Sequence, residues 1–171
     1  DWMNNITALY EAVLLENSEI IKLLFTNNKI DVNCLNEDKV TSFCYGPRYD
    51  KITPFFMAVI RKNLDIIKLF LNNDKFDVNS LNSEDYTSKF NQTALCYAIE
   101  EGDIEIVKLL LEHKNIDVNA ISEERIEYER KSKITPFFAA VNKQKVNIVE
   151  LLLKNEKVDI NILNDYCCFT N

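Results

Sequence analysis

The residues that could support chemistry in this chain are few and scattered. Its single histidine, His113, has no second histidine or C-x-x-C pair with which to bind a metal or activate a nucleophile. The two glycines, Gly46 and Gly102, are too few for a phosphate-binding loop. Carboxylates are numerous, but we expect them on solvated faces and in loops. We therefore predict that the protein is not an enzyme and binds neither a metal nor a cofactor.

The composition argues against two classes of partner. The 171 residues include 20 Lys and Arg against 27 Asp and Glu, a net charge of −7. Phosphate backbones and anionic membrane surfaces attract a basic face, so we expect binding to neither nucleic acid nor membrane. No apolar run approaches the roughly 20 residues of a membrane span, and the first residues lack a signal-peptide pattern. These features predict an intracellular, cytoplasmic protein.

The five cysteines leave two interpretations open. Their number is odd and their spacing follows no disulfide or zinc motif, which favours free thiols in a reducing compartment. A Cys34–Cys44 bridge that closes the first long loop is the alternative. The cysteines are Cys34, Cys44, Cys96, Cys167 and Cys168.

One pattern of residues recurs four times. The copy from Thr93 to Asn119 reads TALCYAIEEGDIEIVKLLLEHKNIDVN, and three others align with it without a gap. Each contains a threonine suited to cap a helix, a short apolar helix, a break, a second helix with a broad apolar face, and a closing Asp-Val/Ile-Asn. Because such a hairpin cannot bury its apolar face alone, we expect the copies to stack.

This skeleton resembles the ankyrin repeat. The Thr-Pro starts at Thr53–Pro54 and Thr135–Pro136, the glycine at Gly102, the apolar step Ile106–Leu111 and the Asp-Val-Asn ends match that family. The resemblance implies an all-α solenoid of four helix–turn–helix repeats with extended finger loops. We expect one domain over residues 1–171, part of a longer protein, with repeat cores at 7–33, 53–79, 93–119 and 135–161.

Two positions depart from the family pattern. Apolar residues replace the histidine at the fourth position of the repeat, so we expect packing there instead of its hydrogen bonds. The glycine between the helices survives only at Gly102, and a left-handed conformation costs other residues roughly 1 kcal/mol. The replacements are Tyr10, Phe56, Cys96 and Phe138 for the histidine, and Glu16, Lys62 and Gln144 for the glycine.

The finger loops between the copies are unusually long. Cys34–Ile52, Ser80–Gln92 and Ala120–Ile134 contain 19, 13 and 15 residues. Gly46-Pro47 predicts a hairpin or loop turn in the first. In the third, Ser122 could cap a short helix, whereas the alternation of Ile126 and Tyr128 is typical of a strand. Aromatic residues in these loops are suited both to stacking finger on finger and to contacting a partner.

The resemblance implies a non-catalytic protein–protein interaction module. In ankyrin stacks a concave face formed by the first helices and fingers binds partners. The alternative is a structural or regulatory spacer segment of a larger enzyme or channel, with only intramolecular contacts. The predicted partner-facing residues are Ile52, Ile60, Arg61, Gln92, Glu100, Glu101, Asn142, Lys143, Tyr45, Tyr86 and Tyr128.

The asparagine that closes each copy is marked by its repetition. We predict that its side chain satisfies backbone groups at the loop turn. The family resemblance also implies that an oxygenase could hydroxylate it. The four residues are Asn33, Asn79, Asn119 and Asn161.

Overall fold

The chain forms two compact units, Asp1–Ser88 with the first two copies and Lys89–Asn171 with the last two. The computed structural model describes residues 6–38, 50–82, 90–127 and 130–164. That all four copies form a single domain stays a prediction.

Helical hairpins build both units. In the first unit, α1 packs on α3 and α2 on α4, and in the second, α5 packs on α7 and α6 on α8. The predicted helical repeat fold is therefore confirmed. The helices of the described residues are α1 (Ala8–Leu14), α2 (Ser18–Phe25), α3 (Pro54–Ile60), α4 (Leu64–Leu71), α5 (Ala94–Glu101), α6 (Ile104–Leu111), α7 (Pro136–Asn142) and α8 (Val146–Leu153).

Side-chain caps define where the helices begin. The threonine before each first helix accepts the N–H of the residue three positions on, as from Tyr10 to Thr7 at 3.2 Å. Asn17, Asn63 and Asp103 cap second helices in the same way, whereas Lys145 makes no side-chain cap bond to α8. Such a bond satisfies one of the N–H groups that the first helical turn leaves unpaired.

The turn between the two helices of each copy needs a left-handed residue. Gly102 has φ of +77°, and Glu16, Lys62 and Gln144 have φ between 54° and 56°. The expected left-handed conformation of the three non-glycine residues is thus confirmed. Each of them holds a strained backbone because its Cβ crowds the following carbonyl.

Replacing Gln144 with glycine is expected to raise the free energy of unfolding by about 1 kcal/mol, because glycine has no Cβ penalty at φ of 55°. Gln144→Ala is the matched control, since alanine keeps the Cβ and should bring no gain. Urea unfolding followed by circular dichroism measures both. Equal stability of the two variants would contradict the assignment of strain to this position.

Short antiparallel strands form the bases of the finger loops. In the first unit, β1 (Asn36–Asp38) pairs with β2 (Asp50–Ile52). In the second, β4 (Ser122–Glu127) lies between β3 (Phe90–Asn91) and β5 (Arg130–Ile134). The third loop therefore forms strands, and the alternative of a short helix capped by Ser122 is wrong. The Gly46-Pro47 turn lies outside the described residues.

Aromatic packing joins the two copies of the first unit. The Phe70 ring is fully buried, with its centroid 5.1 Å from that of Phe25, 5.7 Å from Phe55 and 5.5 Å from Phe76. Phe25 belongs to the first copy and the other three belong to the second. The residues at the histidine position are apolar and buried at Tyr10, Phe56 and Cys96, and half-buried at Phe138.

Candidate functional site

Polar side chains in the loops fix the start of the first helices. The Oδ1 atoms of Asn36 and Asn164 accept the N–H groups of Thr7 and Thr135 at 2.6 and 2.7 Å. Ser122 Oγ accepts the N–H of Thr93 at 3.3 Å. Sequence reasoning missed this role, although the third residue after each closing asparagine is Asn or Ser in all four copies.

The closing asparagines join neighbouring copies within each unit. Asn33 Nδ2 donates to the carbonyl of Lys75, and its Oδ1 accepts the N–H of Asp77, both at 3.0 Å. Asn119 makes the same two bonds to Lys157 and Asp159, at 2.8 and 2.9 Å. The side chain does satisfy backbone groups as predicted, but these groups belong to the next copy and not to its own turn. Hydroxylation of these asparagines stays a prediction.

In the first unit, the ends of the first helices carry an apolar strip. Leu15 is 66% exposed, and Leu14 and Ile60 beside it in the repeat pattern are half-buried. Arg61 Nη1 lies 3.9 Å from Glu16 Oε1, and Glu16 Oε2 accepts the Asn63 Nδ2 at 3.3 Å. Glu16, the residue that follows the exposed Leu15, therefore contacts both Arg61 and Asn63 of the second copy.

In the second unit, the corresponding positions are polar. Glu101, Asn142 and Lys143 are exposed, and Glu100 is half-buried. Partial burial raises the pKa of the Tyr97 hydroxyl, and the carboxylates of Glu101 and Glu100 raise it further. A tyrosine and two carboxylates thus lie together on α5, and their negative field favours a partner with positive charge.

Other predicted partner-facing residues are differently placed. Ile52 and Gln92 are 3% and 4% exposed, so their side chains lie within the packed loops and offer little surface to a partner. Tyr45, Tyr86 and Tyr128 lie outside the described residues.

His113 takes part in the turn after α6, where its Nδ1 atom accepts the N–H of Asn115 at 3.3 Å. At the same position of the other copies, the Oδ1 atoms of Asn27, Asn73 and Asn155 each accept the N–H of the residue two positions on. Cys34 and Cys96 carry free thiols, and Cys44 lies outside the described residues.

The described ranges contain no group of three or more His, Cys, Asp or Glu side chains that could hold a metal ion. None of their helices is long and apolar enough to cross a membrane.

Comparison with known proteins identifies the repeat. A family model for ankyrin repeats in three copies matches residues 9–122, and a model for a single ankyrin repeat matches residues 132–165. Because these matches extend over more than half of the chain, the protein belongs to the ankyrin repeat family. Ankyrin repeats generally mediate protein binding and are typically non-catalytic. A search of curated proteins finds no match.

Proposed function

We propose that this ankyrin repeat chain is a non-catalytic module that binds another protein through the ends of its first helices. Each unit has its own first-helix face, which comprises Leu14, Leu15, Ile60 and Arg61 in the first unit and Glu100, Glu101, Asn142 and Lys143 in the second. The observation that carries the proposal is the exposed Leu15 with half-buried Leu14 and Ile60 beside it in the repeat pattern.

The chemistry of this face suits a protein partner. Interface centres are apolar and depleted in charge, and arginine is enriched among residues that contribute most to binding. The first unit provides this combination with Leu15, Ile60 and Arg61. The Arg61–Glu16 pair is partly exposed and 3.9 Å long, so it contributes little and leaves the guanidinium ready to exchange partners.

The second unit would supply selectivity. Tyr97 with Glu100 and Glu101 favours a basic segment, while Lys143 favours an acidic one. Glu101 and Lys143 occupy the same position of their repeats but carry opposite charges. A partner that brings a negative group to Glu101 or a positive group to Lys143 is disfavoured, because like charges brought together at an interface are costly. We include Tyr45, Tyr86 and Tyr128 of the finger loops as further contacts in this proposal.

The framework supports rigid presentation of the face. Each first helix is capped by a threonine, and in the first, third and fourth copies a loop side chain accepts the N–H of that threonine. The Asn33 and Asn119 amides fix neighbouring copies at two points each. A face held in this way loses little conformational entropy on binding.

The test reverses one charge on the first-helix face of each unit. Arg61→Glu/Lys143→Glu is expected to weaken binding to partners captured by the wild-type chain by at least tenfold, since each reversal replaces an attraction with a repulsion. Quantitative capture followed by titration calorimetry with the purified partner measures the change. The matched control is Lys68→Glu/Lys108→Glu, which makes the same change in net charge at exposed positions of the second helices.

The two possible failures differ in meaning. Equal loss in the face variant and in the control would show that net charge and not the face controls binding. A wild-type chain that captures no specific partner would favour the alternative function, a spacer segment with intramolecular contacts only.

A further inference from the structure

In the first unit, a carboxylate of one copy contacts polar groups of the next copy. Glu16 follows α1 and its C-cap residue, and its Oε2 atom accepts the Nδ2 group of Asn63 at 3.3 Å. Its Oε1 atom lies 3.9 Å from the Nη1 atom of Arg61. Arg61 and Asn63 are the two neighbours of the left-handed residue Lys62, and both side chains reach back to the copy that precedes them.

The second unit has the cationic side of this contact without the carboxylate. Lys143 occupies the position of Arg61 in the repeat. Lys145 occupies the position of Asn63, and Gly102 replaces the residue that carries the carboxylate. In the part of the chain that the structure describes, neither lysine ammonium makes a hydrogen bond or an ion pair. The fourth copy therefore offers two positive charges to an acid that the third copy does not supply.

The ammonium of Lys145 is held between the third and fourth copies. A Cβ atom on Gly102 would lie 2.8 Å from Lys145 Nζ, so a larger residue at this position would have to displace the ammonium. Lysine has no acceptor with which to cap α8, and its side chain lies instead over Gly102 at the carboxyl-terminal end of α5. The dipole of α5 favours a positive charge there. The ammonium is thus positioned while its N–H groups remain able to bind an acceptor.

An open cavity of about 350 Å³ lies beside this ammonium. The third copy contributes Gly102 and the half-buried Ile104 to its lining, and the fourth contributes Lys145, Val146 and Ile148. Both copies belong to the second unit, so the cavity lies between neighbouring copies and not on an outer face of either. A cation beside apolar side chains suits an acidic group that has an apolar neighbour.

We propose that this cavity, together with Lys143, binds an aspartate or glutamate side chain of the partner protein that has an apolar residue beside it. The inference rests on the proposed function and names the chemistry of the partner for the second unit. The partner's carboxylate takes the place that Glu16 has in the first unit. The apolar neighbour packs against Ile104 and Val146, and by excluding water it strengthens the ion pair with Lys145.

Two acidic residues beside Gly102 restrict which acidic segments fit. Glu101 precedes the glycine and is exposed, and Asp103 follows it. The carboxylate of Asp103 accepts the N–H of Ile106 at 3.3 Å as the cap of α6, so it stays where it is. A run of several acids in the partner would bring like charges together at these positions. The site therefore favours a single acid flanked by uncharged residues.

Peptide selection on the purified 171-residue chain tests this inference. Short random peptides displayed on phage are selected on the wild-type chain, and the enriched sequences are synthesised with amidated C-termini, so that only side chains carry carboxylates. We expect peptides with one aspartate or glutamate beside an apolar residue. Replacing that acid with the corresponding amide should weaken binding about fivefold, as titration calorimetry would measure.

A variant of the protein assigns the effect to the cavity. Lys145→Gln removes the cation, so the acid-to-amide change in the peptide should then have no further effect, because both changes remove the same ion pair. Lys154→Gln is the matched control, since it makes the same change at an exposed residue just beyond the other end of α8. It should leave the effect of the peptide change intact. Circular dichroism of both variants verifies that their helices are intact.

Three results would overturn the inference. These are a wild-type chain that selects no peptide, selected peptides that lack an acid or lose no affinity when it becomes an amide, and a full effect of that change in Lys145→Gln. The proposed function fails by a different result, namely an Arg61→Glu/Lys143→Glu chain that binds its captured partner as tightly as the wild type. Loss of binding in that variant with a full acid effect in Lys145→Gln would reject the inference alone.

Discussion

Replacing Phe70 with alanine is expected to lower the free energy of unfolding of the first unit by about 3–5 kcal/mol. The ring is fully buried and contacts Phe25, Phe55 and Phe76 at centroid distances of 5.1–5.7 Å. Alanine would remove these contacts and leave a cavity between two copies. Because Phe25 comes from the first copy, the loss should uncouple that copy from the second.

The matched control is Phe70→Leu, since leucine occupies the same position at Leu24, Leu110 and Leu152. We expect it to cost roughly 1 kcal/mol, because it keeps most of the apolar volume. Urea unfolding measures the loss, and amide hydrogen exchange of α1 and α2 locates it. Similar losses for leucine and alanine would show that ring geometry, and not filled volume, stabilises this contact.

Raising the pH above 9 is expected to destabilise the second unit through Cys96. Burial raises the pKa of its thiol from 9.0 to about 12; a hydrogen bond with Ser122 lowers it and the Glu100 carboxylate raises it. The folded state thus holds the thiol neutral while the unfolded chain releases the proton. The stabilisation is complete below pH 9 and is lost between pH 9 and about 12 at up to roughly 1.4 kcal/mol per pH unit.

A Cys96→Ser variant isolates this effect from the titration of lysines and tyrosines. Serine keeps a hydroxyl near Ser122 but does not ionise in this range. Under reducing conditions, the difference in unfolding free energy between wild type and variant should be constant up to pH 9. At pH 11 the wild type should have lost about 2–3 kcal/mol of stability relative to the variant. Urea unfolding at several pH values gives the difference. A difference that is independent of pH would contradict the buried, neutral thiol.

The repetition of the sequence predicted the local structure closely. Thr7, Thr53, Thr93 and Thr135 start helices as expected, because a threonine hydroxyl before an apolar helix satisfies a free N–H group. The left-handed turns at Glu16, Lys62 and Gln144 were also predicted, since these residues align with Gly102. These features depend on neighbours in the chain, and a repeated pattern shows them four times.

Contacts between loops and copies were less predictable. Ser122 was compatible with a helix cap or a strand, and its strand partners, β3 and β5, decided the outcome. Ile52 and Gln92 were expected to face a partner, but packing of the finger loops buries their side chains. Whether a side chain at a loop end points to solvent or into a neighbouring loop depends on residues distant in the sequence.

The sequence by itself determined the repeat, its helices, its caps and the ankyrin family, because these follow from residue type and spacing within 27 positions. Only the tertiary structure decided which backbone groups Asn33 and Asn119 bind and that the side chains of Ile52 and Gln92 are buried. Val13 and Val141 occupy the same position in the repeat, yet one is buried and the other exposed. Their difference lies in what packs against them, because burial is a property of the pair of surfaces and not of the residue.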